Sequence, residues 1–223
     1  MTQRTLVSKP WGSEYLIYEN RDVAVWMLSI NFNQSTSFHC HPNKKTGLII
    51  LDGHASIELG FLQTIQLTGP QKIMIRPGLF HSTKALSGDG IRLLELETPV
   101  DKEDLVRYSD GYGREGKPIE GDEALVNLEP ESVIFPDPEV GVIHSYSFGS
   151  SSVSVEKYET LEDFEVKNDK SIFAVIDGGL SSEEGRFVLS AGDIVNASTL
   201  KKLIKVFEIS EFISFLVIDE NEA

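Results

Sequence analysis

The chain has 223 residues, 40% of them hydrophobic, and a formal net charge of −15 from 35 acidic and 20 basic side chains. That apolar share can fill a core, which excludes wholesale disorder, and that much negative charge is repelled by phosphate backbones and anionic lipid, which argues against nucleic acid and membrane partners. The single cysteine, Cys40, excludes an internal disulfide framework, and the opening MTQRTLVSKP has no apolar signal-type run, so a cytoplasmic location is expected. From the N-terminus, SEYLIYE, VAVWMLSINF, TGLIILDG, ASIELG, QKIMIRPG and IRLLELETP read as strands. They are rich in β-branched and aromatic residues and are punctuated by Gly, Pro, Asn or Asp. A strand about every ten residues suits a sandwich or barrel rather than alternating βαβ units.

Residues 101–132 are polar, acidic and Gly-containing, and read as a connector with a helical turn or two around KEDLVRY. Strand signals resume with VGVIHSYSFG, SVSVEKYE, SIFAVIDGG, GRFVLSAGDIV, KLIKVFEI and FISFLVIDE. The second half reads as a worn copy of the first. LIILDG (48–53) matches FAVIDG (173–178), LTG (67–69) matches SAGD (190–193), and IRLLELE (91–97) matches ISFLVID (213–219). Three matches in order at nearly one offset argue for a duplicated all-β domain. The expected division is 1–115, a connector over 116–133, and 134–223.

His39 and His41 stand two apart, so in an extended strand both rings face one side while Cys40 faces the other. A neighbouring strand can add His81, which follows the Pro77–Gly78 turn. Imidazole is a common metal ligand, and three protein ligands with open positions describe a catalytic rather than a structural site. Cys40 reads as a small buried hydrophobe, Trp11 and Trp26 as core or inter-subunit packing, and His54 as a surface residue. No role falls to His144. Glu95 and Glu97 alternate with Leu94 and Leu96, and the pair reads as facing outward.

HCH…TGLIILDG followed by RPGLFH resembles the two motifs of the cupin superfamily: His-x-His, a Glu, then six residues and Gly; and a Pro-Gly turn before a third His. The resemblance implies an all-β protein of two jelly-roll barrels, the second degenerate, since it lacks both motifs. It also implies a divalent ion held by His39, His41 and His81, with zinc or iron ahead of nickel or manganese. Thr46 stands where the motif has Glu. Either three His hold the ion with water in the fourth place, or the ion is weakly bound or absent.

KPWGSEYLIY (9–18) and LELETPVDKEDLVRYSDGYGR (94–114) further resemble mannose-6-phosphate isomerases of the bifunctional kind and the C-terminal region of mannose-1-phosphate guanylyltransferases. The implied activity is aldose–ketose isomerisation of a sugar phosphate or chemistry on a nucleotide-linked sugar. The alternatives are a three-His iron dioxygenase and a non-catalytic carbohydrate-binding or regulatory module. Lys44, Lys45, Arg76, Arg107 and Arg114 are the candidate cations for the substrate's phosphate. No catalytic base can be named. The second half reads as a scaffold, and a homodimer is expected.

Overall fold

The computed structural model describes residues 5–221 apart from 102, 115–124, 131, 163, 165 and 167. The first half contributes β1 (Thr5–Lys9), β2 (Gly12–Glu19), β3 (Ala24–Ile30), β4 (Phe38–Cys40), β5 (Lys45–Asp52) and β6 (His54–Leu59). It continues with β7 (Gln63–Thr68), β8 (Gln71–Ile75), β9 (His81–Ala85), β10 (Ile91–Thr98), β11 (Val106–Ser109) and β12 (Leu125–Asn127). These form two sheets, ordered β12-β1-β2-β3-β10-β5-β8 and β11-β4-β9-β6-β7. Apart from the β6–β7 hairpin, consecutive strands from β3 to β10 thus cross from one sheet to the other, the order of a jelly roll.

One expectation for the middle of the chain is corrected. KEDLVRY is not helical among its described residues: a turn at 103 leads into β11, which pairs with β4. The segment drawn as a connector lies outside the described residues over 116–124 and at 131. It also supplies β12, an edge strand hydrogen-bonded to β1.

The second half contributes β13 (His144–Phe148), β14 (Ser151–Tyr158), β15 (Ile172–Ser181), β16 (Phe187–Ser190), β17 (Ile194–Asn196), α1 (Ala197–Leu203) and β18 (Glu208–Glu220). Its strands run β13-β14-β18-β15, with β16 and β17 both pairing β15. The order β13-β14-β18-β15-β17 repeats β2-β3-β10-β5-β8 of the first half, and each sequence match falls on the corresponding strand or on the turn that leads into it. Among the described residues the counterpart of the second sheet is missing, so this half is one sheet of a jelly roll. The expected strand KLIKVFEI is instead the end of α1, a turn and the first two residues of β18. Ala197, Leu200, Leu203, Ile204 and Phe207 recur at helical spacing and close the sheet's open face, packing with Phe164, Phe173 and Phe215.

The two halves stack back to back. Val25, Met27, Ile49, Leu51, Leu94 and Leu96 on the outer face of the first sheet share one core with Val153, Val155, Ala174, Ile176, Leu216 and Ile218. Lys45 is paired with Asp193 at 2.7 Å across this junction. The opposite parity of the first sheet, including Leu28, Ile30, Leu48, Ile50 and Leu93, fills the barrel with Trp11. No helix among the described residues is long and apolar enough to cross a membrane.

Candidate metal centre

β4 and β9 lie side by side with His39 opposite His81, and Arg107 on β11 opposite His39 from the other side. His41 follows β4 directly. The turn that delivers His81 is held by the Gly78 amide, which donates to the His41 carbonyl at 2.8 Å. Gly78 has φ of 72°, a left-handed value that suits glycine. One ring nitrogen from each of these three His and a carboxylate oxygen of Glu95 lie within 4.8 Å of one another.

The hydrogen bonds behind the rings fix their chemistry. Nδ1 of His39 donates to the Ser37 carbonyl at 2.8 Å, Nδ1 of His41 to the Asp104 carbonyl at 2.6 Å, and Nδ1 of His81 to the Leu79 carbonyl at 3.0 Å. A carbonyl only accepts, so each proton sits on Nδ1 and each Nε2 keeps its lone pair. Nε2 of His41 and of His81 are buried with no hydrogen-bond partner. Buried polar atoms are seldom left so. Burial also pushes the rings toward the neutral form: His39 well below its ordinary value, with His81 and His41 adding repulsion, and His81 down to about 4. His41 is lowered by burial too, against the opposing pull of Glu97. Neutral, pre-oriented rings backed by carbonyls, with a carboxylate beside them, are the donor set of a divalent metal. The residues fit the ion, and His39, His41, His81 and Glu95 can hold it.

Glu95 is the candidate ligand that the sequence reading missed, and the outward reading of Glu95 and Glu97 is corrected. Their strand, β10, is covered on both faces. Leu94 and Leu96 point to the second half, so the alternate positions point into the barrel. Glu97 pairs across the sheet with Thr46, the position where the motif has its Glu. The carboxylates thus stand on the neighbouring strand, on the same inner face. Burial, then Glu97 and Glu14, push the Glu95 carboxyl up to about 8.

The cluster opens on a cavity of about 310 Å³, walled by Trp11, Trp26, Glu14, Lys44, Arg107 and Arg114 among others. Its size is at the small end for ligand pockets. Of the five cations considered, three reach it. Arg107 donates from Nε to Ser37 Oγ at 3.1 Å and from Nη1 to the Arg114 carbonyl at 3.2 Å. Arg114 makes a bidentate pair with Asp110, at 2.8 and 2.9 Å. Lys44 is buried against Glu97 at 2.8 Å. The other two do not line it. Lys45 is committed to Asp193 in the second half, and Arg76 is exposed, bonded to the Pro77 carbonyl, outside the cavity. Cys40 is buried with its side chain away from the rings, Trp11 is core, and His54 bonds Thr68 and Gln66 at the surface. Trp26, read as packing, is half-buried and faces the cavity.

No family model and no curated protein matches this chain. Among solved structures it is similar to a conserved protein of Klebsiella pneumoniae with a double-stranded β-helix domain, at 15% identity over 44% of this chain and 84% of that one, with a TM-score of 0.41. It is also similar to KdgF from Halomonas sp., at 15% identity over 42% and 84% of the two chains, TM-score 0.39. A third similarity is to the capsular polysaccharide assembling protein CapF from Staphylococcus aureus, at 15% identity over 47% and 34%, TM-score 0.43. These likenesses are too distant to carry chemistry from one protein to another.

Proposed function

We propose that the protein is a metal-dependent isomerase of a phosphorylated sugar, working in the first barrel with the second half as scaffold. The observation that carries the reading is the convergence of three carbonyl-backed imidazoles and Glu95 on a cavity that also presents two arginines. A divalent ion held by His39, His41, His81 and Glu95 would supply a Lewis acid for the sugar's carbonyl and hydroxyl oxygens. Arg107 and Arg114 are oriented by Ser37 and Asp110, and their planar guanidinium groups suit a phosphate. Glu97 lines the same wall beside His41, and we assign it the proton that passes between C1 and C2.

The test begins with elemental analysis of protein purified without added metal. A thermal-shift screen of hexose and pentose phosphates and an aldose–ketose conversion assay follow. Zinc or manganese at one per chain, stabilisation by a sugar phosphate and turnover are expected. Iron with oxygen uptake, or no response to any phosphorylated sugar, would overturn the reading.

A further inference from the structure

Lys44 is almost wholly buried, with 2% of its surface exposed, and it sits at the edge of the His cluster. A lysine in a Pro-Asn turn is normally solvated. Here the turn is folded inward by Asp104, whose carboxylate accepts from the Asn43 amide at 3.0 Å, the Lys44 amide at 2.9 Å and the Asn43 side chain at 2.9 Å. The same residue's carbonyl holds His41. One clamp therefore sets both a metal-facing ring and the lysine. The Lys44 ammonium ends 2.8 Å from Glu97 Oε1.

That oxygen also stands 3.5 Å from His41 Nε2. With the His41 proton on Nδ1, this is a lone pair facing a carboxylate oxygen, and no hydrogen bond joins them. Two such atoms attract each other only through a cation between or beside them. A separation of 3.5 Å is also what two ligands on one ion with bonds near 2.1 Å adopt. Glu97 is thus within reach of the ion's sphere, and Lys44 supplies the competing cation.

We infer that Lys44 determines the composition of the metal's ligand set by withholding Glu97 from it. The inference rests on the metal centre but not on the isomerase reaction. With Lys44 in place the ion has three imidazoles and one carboxylate, a set that favours borderline ions such as zinc. The second carboxylate stays in the cavity wall, available to substrate. Without the ammonium, Glu97 is a buried, unpaired anion. It turns to the ion, adding a hard oxygen ligand and a negative charge, and the site shifts toward manganese.

The test measures Mn(II) and Zn(II) affinity by competition titration, and Co(II) absorption, for wild type, Lys44→Met and Lys44→Met/Glu97→Gln. Mn(II) binding is expected to tighten about tenfold in the single variant, on the scale of a ligand-environment change. Its Co(II) bands are expected to weaken as coordination number rises, and both effects are expected to vanish in the double variant. A folded Lys44→Met with wild-type Mn(II) affinity and Co(II) spectrum overturns the inference, as does a gain that persists in the double variant. If Lys44→Met fails to fold, Lys44→Gln keeps a donor to Glu97 without the charge. The same tightening is expected there, and its absence counts against the inference equally. A wild type that binds none of the three ions overturns the metal centre itself, and with it the inference.

Discussion

Replacing Glu95 with Gln separates what the barrel needs for folding from what it needs for metal. The native Glu95 carboxyl is pushed up to about 8 by burial and by Glu97 and Glu14, whereas in an unfolded chain it ionises near 4.5. Between those values the native state holds a proton that the unfolded state has released. Metal-free stability therefore falls as pH rises through this window, and the whole penalty is in force above pH 8. At about 1.4 kcal/mol per pH unit the ceiling is about 5 kcal/mol. Solvent reaches this half-buried group through the cavity, so a cost of about 2 kcal/mol is expected. Metal-stripped Glu95→Gln should accordingly resist urea better than metal-stripped wild type at pH 8.5, by about 2 kcal/mol, and the two should coincide near pH 4.5. Adding zinc at a hundredfold excess over its Kd should stabilise wild type by about 2.7 kcal/mol and the variant by much less, reversing their order. Should the stripped variant be no more stable than wild type at pH 8.5, Glu95 does not face the cluster as a desolvated carboxylate, and its assignment as a ligand fails.

Alanine at His81 should reduce bound metal from one per chain to a trace in elemental analysis while the far-ultraviolet circular dichroism is kept; full metal content in that variant would remove the ring from the ligand set. Leu96, fully buried between the two stacked sheets, should cost about 3–5 kcal/mol on truncation to Ala. Because the core is shared, urea should unfold both halves in one transition at a lower midpoint, and two resolved transitions would show that the halves do not fold as a unit. Asp110 is raised by burial but held below its ordinary value overall by Arg114. Its contribution is present above about pH 4 and is lost as the pH falls through the lowered native value. Asp110→Asn should therefore be less stable than wild type at pH 7, with the gap closing in acid; a gap that is independent of pH would refute the ion pair's role.

The jelly roll was legible because its signals are local. Strand alternation, Gly and Pro turns and the His39–His41 spacing are all set within a few residues, and the repeated segments landed on corresponding strands and turns of both halves. Signals that depend on partners distant in sequence were read less well. KLIKVFEI is apolar enough for a strand, and the helical recurrence of Ala197, Leu200 and Leu203 decides only once an open sheet face is known to need a cover. A lysine in a Pro-Asn turn is normally solvated, and Lys44 is buried only because Asp104, some sixty residues on, folds that turn inward.

The inversion of Glu95 and Glu97 has the same physical root. In a strand with one wet face, carboxylates alternating with leucines point to water. β10 has no wet face at its centre, because the second half lies against Leu94 and Leu96. The sequence held the correcting sign in the parity itself. Ile91 and Leu93 share a face with Glu95 and Glu97, and both are buried inside the barrel. A face that begins with two core residues and continues with two carboxylates is a core face running into a polar site. The counterpart strand β18 reinforces this. Ile213, Phe215 and Val217 bury on one side, and Leu216 and Ile218 on the other. A strand that is apolar at both parities lies between two layers. Since the two halves share one strand order, β10 should lie between two layers as well. Read that way, the carboxylates on its inner face belong to a polar site, and Glu95 meets the three imidazoles across the barrel in a cluster that could hold a metal ion.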